Sequence, residues 1–137
     1  LSIVQKLIKE LNLESAVTLL NWTSRENVFN IIMGSKLYVS TARYEGLPYS
    51  VIEALALSKP CIVSNCDGNR DLITNDYNGF VIDNENIEEF SKKIKLLFQD
   101  DELLKKLSKN ALKSFEENYN IKKNISTLEE IYSEYSI

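Results

Sequence analysis

A chain of 137 residues is of single-domain size and long enough for one hydrophobic core. Its 44% hydrophobic and 26% charged residues are ordinary for a globular domain, and a net charge of −4 argues against a nucleic-acid partner. There is no His, which excludes a His general base, a Ser-His triad and a His-ligated metal; two Cys are too few for a zinc site.

Ile3, Val4, Leu7, Ile8 and Leu11 repeat at helical spacing, and Val17 to Leu20 is a short strand-like run. Trp22 follows that strand and is expected to pack at a loop. Ser24 can cap a helix with apolar positions Val28, Phe29, Ile32 and Met33, which Gly34 is placed to end. Leu37 to Ser40 is again strand-like, and a Glu-Gly-Leu-Pro turn leads into a helix from about Pro48 to Ser58. Pro60 to Ser64 and Gly79 to Ile82 read as buried strands. Cys61 is read as a small buried hydrophobe, Cys66 as a residue of a polar loop, and no disulfide is expected between them.

Three amphipathic helices follow. Their apolar faces are Ile87, Phe90, Ile94, Leu97 and Phe98; then Leu103, Leu104, Leu107, Ala111, Phe115 and Tyr119; then Ile121, Ile125, Leu128, Ile131 and Tyr132. Tyr119, Tyr132 and Tyr135 are read as core or rim positions. Lys92, Lys93, Lys95, Lys105, Lys106, Lys109 and Lys113 make these helices locally basic. Solvated faces with Glu partners are the plain reading, and contact with a membrane surface is the alternative.

Alternating short strands and helices predict an α/β domain with a parallel sheet covered on both faces. Ligands of such sheets bind beyond the carboxyl ends of the strands, where the loops Thr41 to Leu47 and Asn65 to Arg70 fall. Glu45 and Glu53 flank the start of the helix after the first of these loops. A carboxylate in an otherwise apolar run, as at Glu53, calls for a partner outside its segment, and a polyhydroxylated ligand is the first candidate. Gly46 allows an unusual turn, Pro48 suits the first helical position, and free amides with the helix dipole favour a diphosphate there. Glu53 lies roughly 7 Å further along at the helical rise of about 1.5 Å per residue, a sensible offset for a ribose diol. Tyr49 shares its face at i, i+4. On pattern alone, a solvated helix Glu and an ordinary turn remain an open alternative.

The run Ser40 to Ala56, then Lys59-Pro60-Cys61-Ile62-Val63-Ser64, Gly68, Asp71 and Asn78-Gly79-Phe80-Val81, resembles the donor-binding half of retaining glycosyltransferases of family 4. Their hallmark is E-x(7)-E with an Ala-rich helix, a Pro-Val strand and a Gly-Gly-x-x-Glu loop, in that order. The resemblance covers nearly the whole chain, and Glu-Gly-Leu-Pro-x-Ser is most similar to bacterial capsular or surface polysaccharide enzymes. It implies a Rossmann-like sheet of about four strands, as in the C-terminal domain of a GT-B glycosyltransferase. It also implies a nucleotide-diphosphate sugar as donor, a glycan or lipid-linked acceptor, and no metal or cofactor.

By this resemblance Glu45 is the catalytic-site carboxylate that contacts the transferred sugar and Glu53 the one that contacts the ribose. Amides around Gly46, Leu47 and Tyr49 approach the diphosphate or sugar, and a leaving-phosphate oxygen takes the acceptor's proton. Gly68 and Asp71 belong to the second loop. Asp71 stands where the family has Glu, and Asp67 replaces the first Gly of the pair. Arg43 and Arg70 match no diphosphate-gripping position and are read as loop-edge charges, with ligand contact as the alternative.

The family's upstream Gly-Arg and Lys are absent from this sequence, as is its acceptor domain. With Leu1 first and Met33 the only Met, a piece of a larger, cytoplasmic protein is expected, inactive by itself, with the inner membrane face as an alternative location. In a 3-2-1-4-5-6 sheet, strands 1 and 2 are then missing. Val17 to Leu20 must re-pair beside Leu37 to Ser40, find another chain or lie loosely, and the bare edge favours self-association. A non-catalytic nucleotide-binding or interaction module of the same fold is the alternative function.

Overall fold

The computed structural model describes residues 2–135, without the side chains of Ser2, Leu128, Glu134 and Tyr135. Three strands, β1 (Tyr38–Ser40), β2 (Cys61–Ser64) and β3 (Gly79–Ile82), form a parallel sheet in the order β1-β2-β3. Helices α1 (Ser2–Glu10) and α2 (Arg25–Gly34) precede it, and α3 (Tyr49–Ala56) and α4 (Asp67–Leu72) carry the two crossovers. After β3 come α5 (Ile87–Gln99), α6 (Asp101–Ser114), a π-helical turn at Phe115–Tyr119 and α7 (Ile121–Tyr135).

The pleat of β2 divides the interior into two layers. Cys61 and Val63 face one cluster with Ile32, Val51, Ala54, Leu55, Leu72, Ile73 and Ala111. Ile62 faces the other with Phe80, Ile82, Phe90, Leu97 and Leu107. All four residues of β2 are buried, as its apolar sequence requires of a strand covered on both faces. Burial without a charged partner pushes the Cys61 thiol far up, so it remains a protonated hydrophobe; Cys61 and Cys66 are both free thiols.

Local chemistry explains several boundaries. Ser24 caps α2 by accepting from the Asn27 amide, and Lys59 Nζ satisfies the other end of the helix, donating to the Met33 and Ser35 carbonyls at 2.8 and 2.7 Å. The end of α3 is closed by bonds from Ser58 N to Leu55 O and from Lys59 N to Ala54 O, with Ser58 at φ 59° in the position glycine usually takes. Pro48 sits one residue earlier than expected: it is the N-cap of α3, not its first helical residue.

The sheet has three strands among the described residues, not four. Ala16 N and Val17 N close turns onto Leu13 O, and Val17 to Leu20 then runs outside the ladder with Val17, Leu19 and Leu20 exposed. It does not re-pair beside β1: the sheet among the described residues holds β1, β2 and β3 alone. Trp22 is 94% exposed and does not pack at a loop. The apolar stripes of α1 and α7 are likewise exposed, at Ile3, Leu7 and Leu11 and at Ile121, Ile125 and Tyr132. Leu128, expected on the last of these faces, and Tyr135, expected as core or rim, have side chains outside the described residues.

Gly79 opposes Cys61 so closely that an added Cβ would lie 2.0 Å from the Cys61 carbonyl oxygen. Gly79→Ala should lower unfolding stability by at least about 2 kcal/mol through forced separation of β2 and β3. Ser58→Gly should raise it by roughly 0.5–1 kcal/mol by relieving the left-handed backbone. Urea denaturation curves of both variants check the opposite signs.

Candidate functional site

All three strands release their loops at one edge, and a polar cleft of about 750 Å³ opens there. The loop after β1 contributes Thr41, Arg43, Tyr44, Glu45 and Gly46. The β2 end and α4 contribute Asn65, Cys66, Asp67 and Arg70, and the turn after β3 adds Asn84 and Glu85.

Polar contacts anchored in the buried Ser64, Gly68 and Asn69 hold these loops. Ser64 Oγ donates to the Ala42 carbonyl, tying the end of β2 to the loop after β1. Asn69 Nδ2 donates to Ser64 O at 2.9 Å and to Ser64 Oγ at 3.3 Å, which clamps α4 against β2; its Oδ1 has no partner among the described residues. Gly68 N donates to Glu45 O at 3.0 Å. A Cβ on Gly68 would lie 2.5 and 2.7 Å from the Gly46 and Glu45 carbonyl oxygens, so only glycine permits this approach. Gly46, in contrast, has open space around it and no left-handed φ. The conformational freedom expected of Gly46 is therefore unused, and the demanding glycine is Gly68.

The segment Asn65 to Arg70 was expected as loop but winds into α4 from Asp67 onward. Cys66, its N-cap, is buried. Arg70 is committed to this local structure, donating to Asn65 Oδ1 at 2.7 Å and pairing with Asp67. Asp67 thus carries its own counter-ion. Arg43 lines the same cleft and has no ion-pair partner among the described residues. Asp71 lies outside the cleft lining, and its carbonyl accepts a 3.0 Å hydrogen bond from the Tyr119 hydroxyl.

Glu53 faces a second concavity, an apolar groove of about 990 Å³ between α2, α3 and the π-helical turn. Leu47 and Tyr49 line it as well, so Tyr49 and Glu53 share a face as their spacing predicts. The partner of Glu53 is Arg25, whose Nη2 donates to Glu53 Oε1 at 2.8 Å. The Arg25 side chain is 76% exposed, so the pair contributes only about 0.2–1 kcal/mol of stability. The two glutamates thus line separate concavities, Glu45 before the start of α3 and Glu53 within it; that start carries no side-chain cap.

Residues 2–114 match the profile of the family described as Glycosyl transferases group 1. The chain belongs to this family. It is 32% identical over 123 residues to the UDP-Gal:alpha-D-GlcNAc-diphosphoundecaprenol alpha-1,3-galactosyltransferase of Escherichia coli, covering 90% of this chain and 31% of that one. It is 32% identical over 117 residues to the poly(ribitol-phosphate) alpha-N-acetylglucosaminyltransferase of Staphylococcus aureus, covering 85% of this chain and 23% of that one. The chain therefore spans a third or less of these relatives' length.

A solved structure of an S. aureus TarM variant in complex with Fondaparinux, alpha-GlcNAc-glycerol and UDP superposes with a TM-score of 0.84 at 29% identity, over 96% of this chain and 26% of that one. Anabaena HepE in complex with UDP shares the fold, with a TM-score of 0.85 at 19% identity over 97% of this chain and 36% of that one. The fold is that of the GT-B glycosyltransferases, and the family is the one the ordered motifs resemble.

Within this group 1 domain, Arg25, Asn84, Glu85 and Lys122 are among the polar site-lining residues that the sequence does not single out. Asn84 and Glu85 follow from the strand-end rule applied to β3. Arg25 pairs across 28 positions, and no local pattern signals that. Among the described residues no group of three or more His, Cys, Asp or Glu could hold a metal ion, and no helix is long and apolar enough to cross a membrane.

Gly68→Ala should displace the Glu45–Gly46 loop and lower stability by about 2 kcal/mol, whereas Gly46→Ala should stay within about 0.5 kcal/mol of the unaltered chain; urea denaturation separates them. Burial, and secondarily the Asp71 carboxylate, raise the Tyr119 phenol above its ordinary ionisation range. Folding favours the neutral phenol, so this contribution is present below the ordinary tyrosine value near 10 and fades as pH climbs through the raised one. An alkaline spectrophotometric titration should show a late-ionising phenol that disappears in Tyr119→Phe.

Proposed function

We propose that this chain supplies the donor side of a retaining sugar transfer, from a nucleotide-diphosphate sugar to a glycan or lipid-linked acceptor. On this reading it is the nucleotide-sugar-binding domain of a longer enzyme, and another domain presents the acceptor. The observation that carries the reading is the pair of carboxylates lining two concavities of opposite character, Glu45 from the loop that leads into α3 and Glu53 from α3 itself.

A nucleotide-diphosphate sugar has three chemically distinct parts that suit such a surface. The sugar, with its many hydroxyls, fits the polar cleft, where Glu45 accepts hydrogen bonds and Arg43 and Asn84 are at hand. The diphosphate crosses at Gly46 to Tyr49, near the backbone amides that open α3. The nucleoside lies in the apolar groove beside Leu47 and Tyr49, with Glu53 accepting from the ribose. Gly68 then acts through the loop's shape, since its amide holds the Glu45 carbonyl and its bare Cα fits against the carbonyls of Glu45 and Gly46; Asp71, outside the cleft lining, is given no ligand contact.

The chemistry asked of these residues is positioning and charge stabilisation. A leaving-phosphate oxygen accepts the acceptor's proton, so no His base is required, and no cofactor or metal enters the proposal. The names of the E. coli and S. aureus relatives support the acceptor class and specify alpha linkages, as retention of an alpha-configured donor would give. UDP in the TarM and HepE complexes supports a nucleotide diphosphate as the shared donor part. Assembly of bacterial surface polysaccharide at the cytoplasmic membrane face is the setting this implies.

Titration of uridine and guanosine diphosphates and their sugars into the chain, followed by NMR, should shift signals around Glu53 and the start of α3. Glu53→Ala should weaken nucleotide binding about tenfold, more than it weakens any binding of free sugar, through loss of charged hydrogen bonds. Glu45→Ala should spare nucleotide binding and depress transfer by the intact enzyme. Absence of any shift near Glu53 sinks the donor-site reading and leaves a non-catalytic module of the same fold.

A further inference from the structure

We infer that Arg25 and Glu53 work as a pair that reads the ribose diol of the nucleotide, with Arg25 setting the preference for ribose over 2′-deoxyribose. The inference rests on the donor reading above and assigns a residue that the resemblance does not.

Arg25 and Glu53 meet through one hydrogen bond, from Nη2 to Oε1 at 2.8 Å. Among the described residues Oε2 accepts none, and the guanidinium has further N–H groups unused. The pair is therefore half-open: it can take a guest without being broken. Exposure alone would leave Arg25 free to swing, but its guanidinium lies 5.1 Å from the centre of the Phe29 ring, one turn further along α2. Ser24, capping α2 just before it, fixes the backbone from which it projects. Arg25, Phe29, Tyr49 and Glu53 all line the same groove.

A hydroxyl is satisfied by one acceptor and one donor, and a lone carboxylate offers only acceptors. Beside Glu53 the guanidinium supplies what is missing. Each of two vicinal hydroxyls can donate to a carboxylate oxygen, and one can accept from Arg25. Removing the 2′-hydroxyl takes one hydrogen-bond partner from the half-buried Glu53 carboxylate and from the guanidinium beside it, a charge-assisted loss that water at the exposed Arg25 offsets only in part. Sites built to hydrogen-bond a hydroxyl reject the analogue lacking it for this reason.

The test is the affinity of the full chain for uridine and guanosine diphosphates and for their 2′-deoxy forms. It compares the unaltered chain with Arg25→Ala, Arg25→Lys and Glu53→Gln, and unfolding curves check that each variant folds. The unaltered chain should prefer the ribonucleotide by about tenfold or more. Arg25→Ala should lose most of that preference, weakening the ribonucleotide and hardly touching the deoxy form. Arg25→Lys should restore part of it, since an ammonium still donates. If Arg25→Ala lowers both affinities equally, leaves their ratio intact or tightens ribonucleotide binding, Arg25 is a structural or competing ion and the inference is overturned while the donor reading stands. If the unaltered chain binds neither nucleotide, or Glu53→Gln changes nothing, the donor reading fails and takes this inference with it.

Discussion

Strand β2 is hydrogen-bonded along both edges and buried on both faces, and the other elements are arranged around that constraint. A strand in this position can leave no backbone group unpaired and can carry no charge. Its neighbours must approach in register, which at Gly79 means an approach too close for any side chain. Parallel pairing then sends all three carboxyl ends to one edge. The loops that follow them are the segments free to be polar, Gly-containing and charged. The cleft with Glu45 is thus a consequence of how the hydrophobic strand is satisfied.

The site spends few interactions on its own stability. Arg70 and Asp67 neutralise each other beside Asn65, and Arg25 meets Glu53 with a single exposed contact. Rigidity comes instead from neutral contacts anchored in the buried Ser64, Gly68 and Asn69: Ser64 to Ala42, Asn69 to Ser64, Gly68 to Glu45. Buried neutral hydrogen bonds hold geometry without salt-sensitive charge pairs. The charged groups above them keep hydrogen-bonding capacity for a guest.

Strong local periodicity made β1, β2, β3, α3, α5 and α6 legible in the sequence, since each has its apolar residues at the spacing its own geometry demands. Features decided by distant contacts were not legible. Val17 to Leu20 has a strand's composition but lacks a neighbour, and Asp67-Gly68-Asn69 has a loop's composition yet is helical because Glu45 and Ser64 hold it. Trp22 and the stripes of α1 and α7 show that an amphipathic pattern reports which side is apolar, not whether anything covers it. In the site, Glu45, Gly46 and Arg43 come together with Gly68's helix as their loop positions imply, while Leu47, Tyr49 and Glu53 turn to the other concavity. The Arg25 contact belongs to the same class of non-local fact as the unpaired run Val17 to Leu20.

The turn Phe115–Tyr119 is wound as a π-helix directly after α6. Such a turn stores an additional residue without lengthening the chain's path by a full α-helical step. Deleting one residue there would let the segment relax to α-helix while the elements on either side keep their places, because the bulge is what absorbs the extra residue. Asn120, extended at φ −74° and ψ 106°, ends this helical path before α7 begins. A one-residue change in length is therefore tolerated at this turn so long as Tyr119, whose hydroxyl holds the Asp71 carbonyl, is kept.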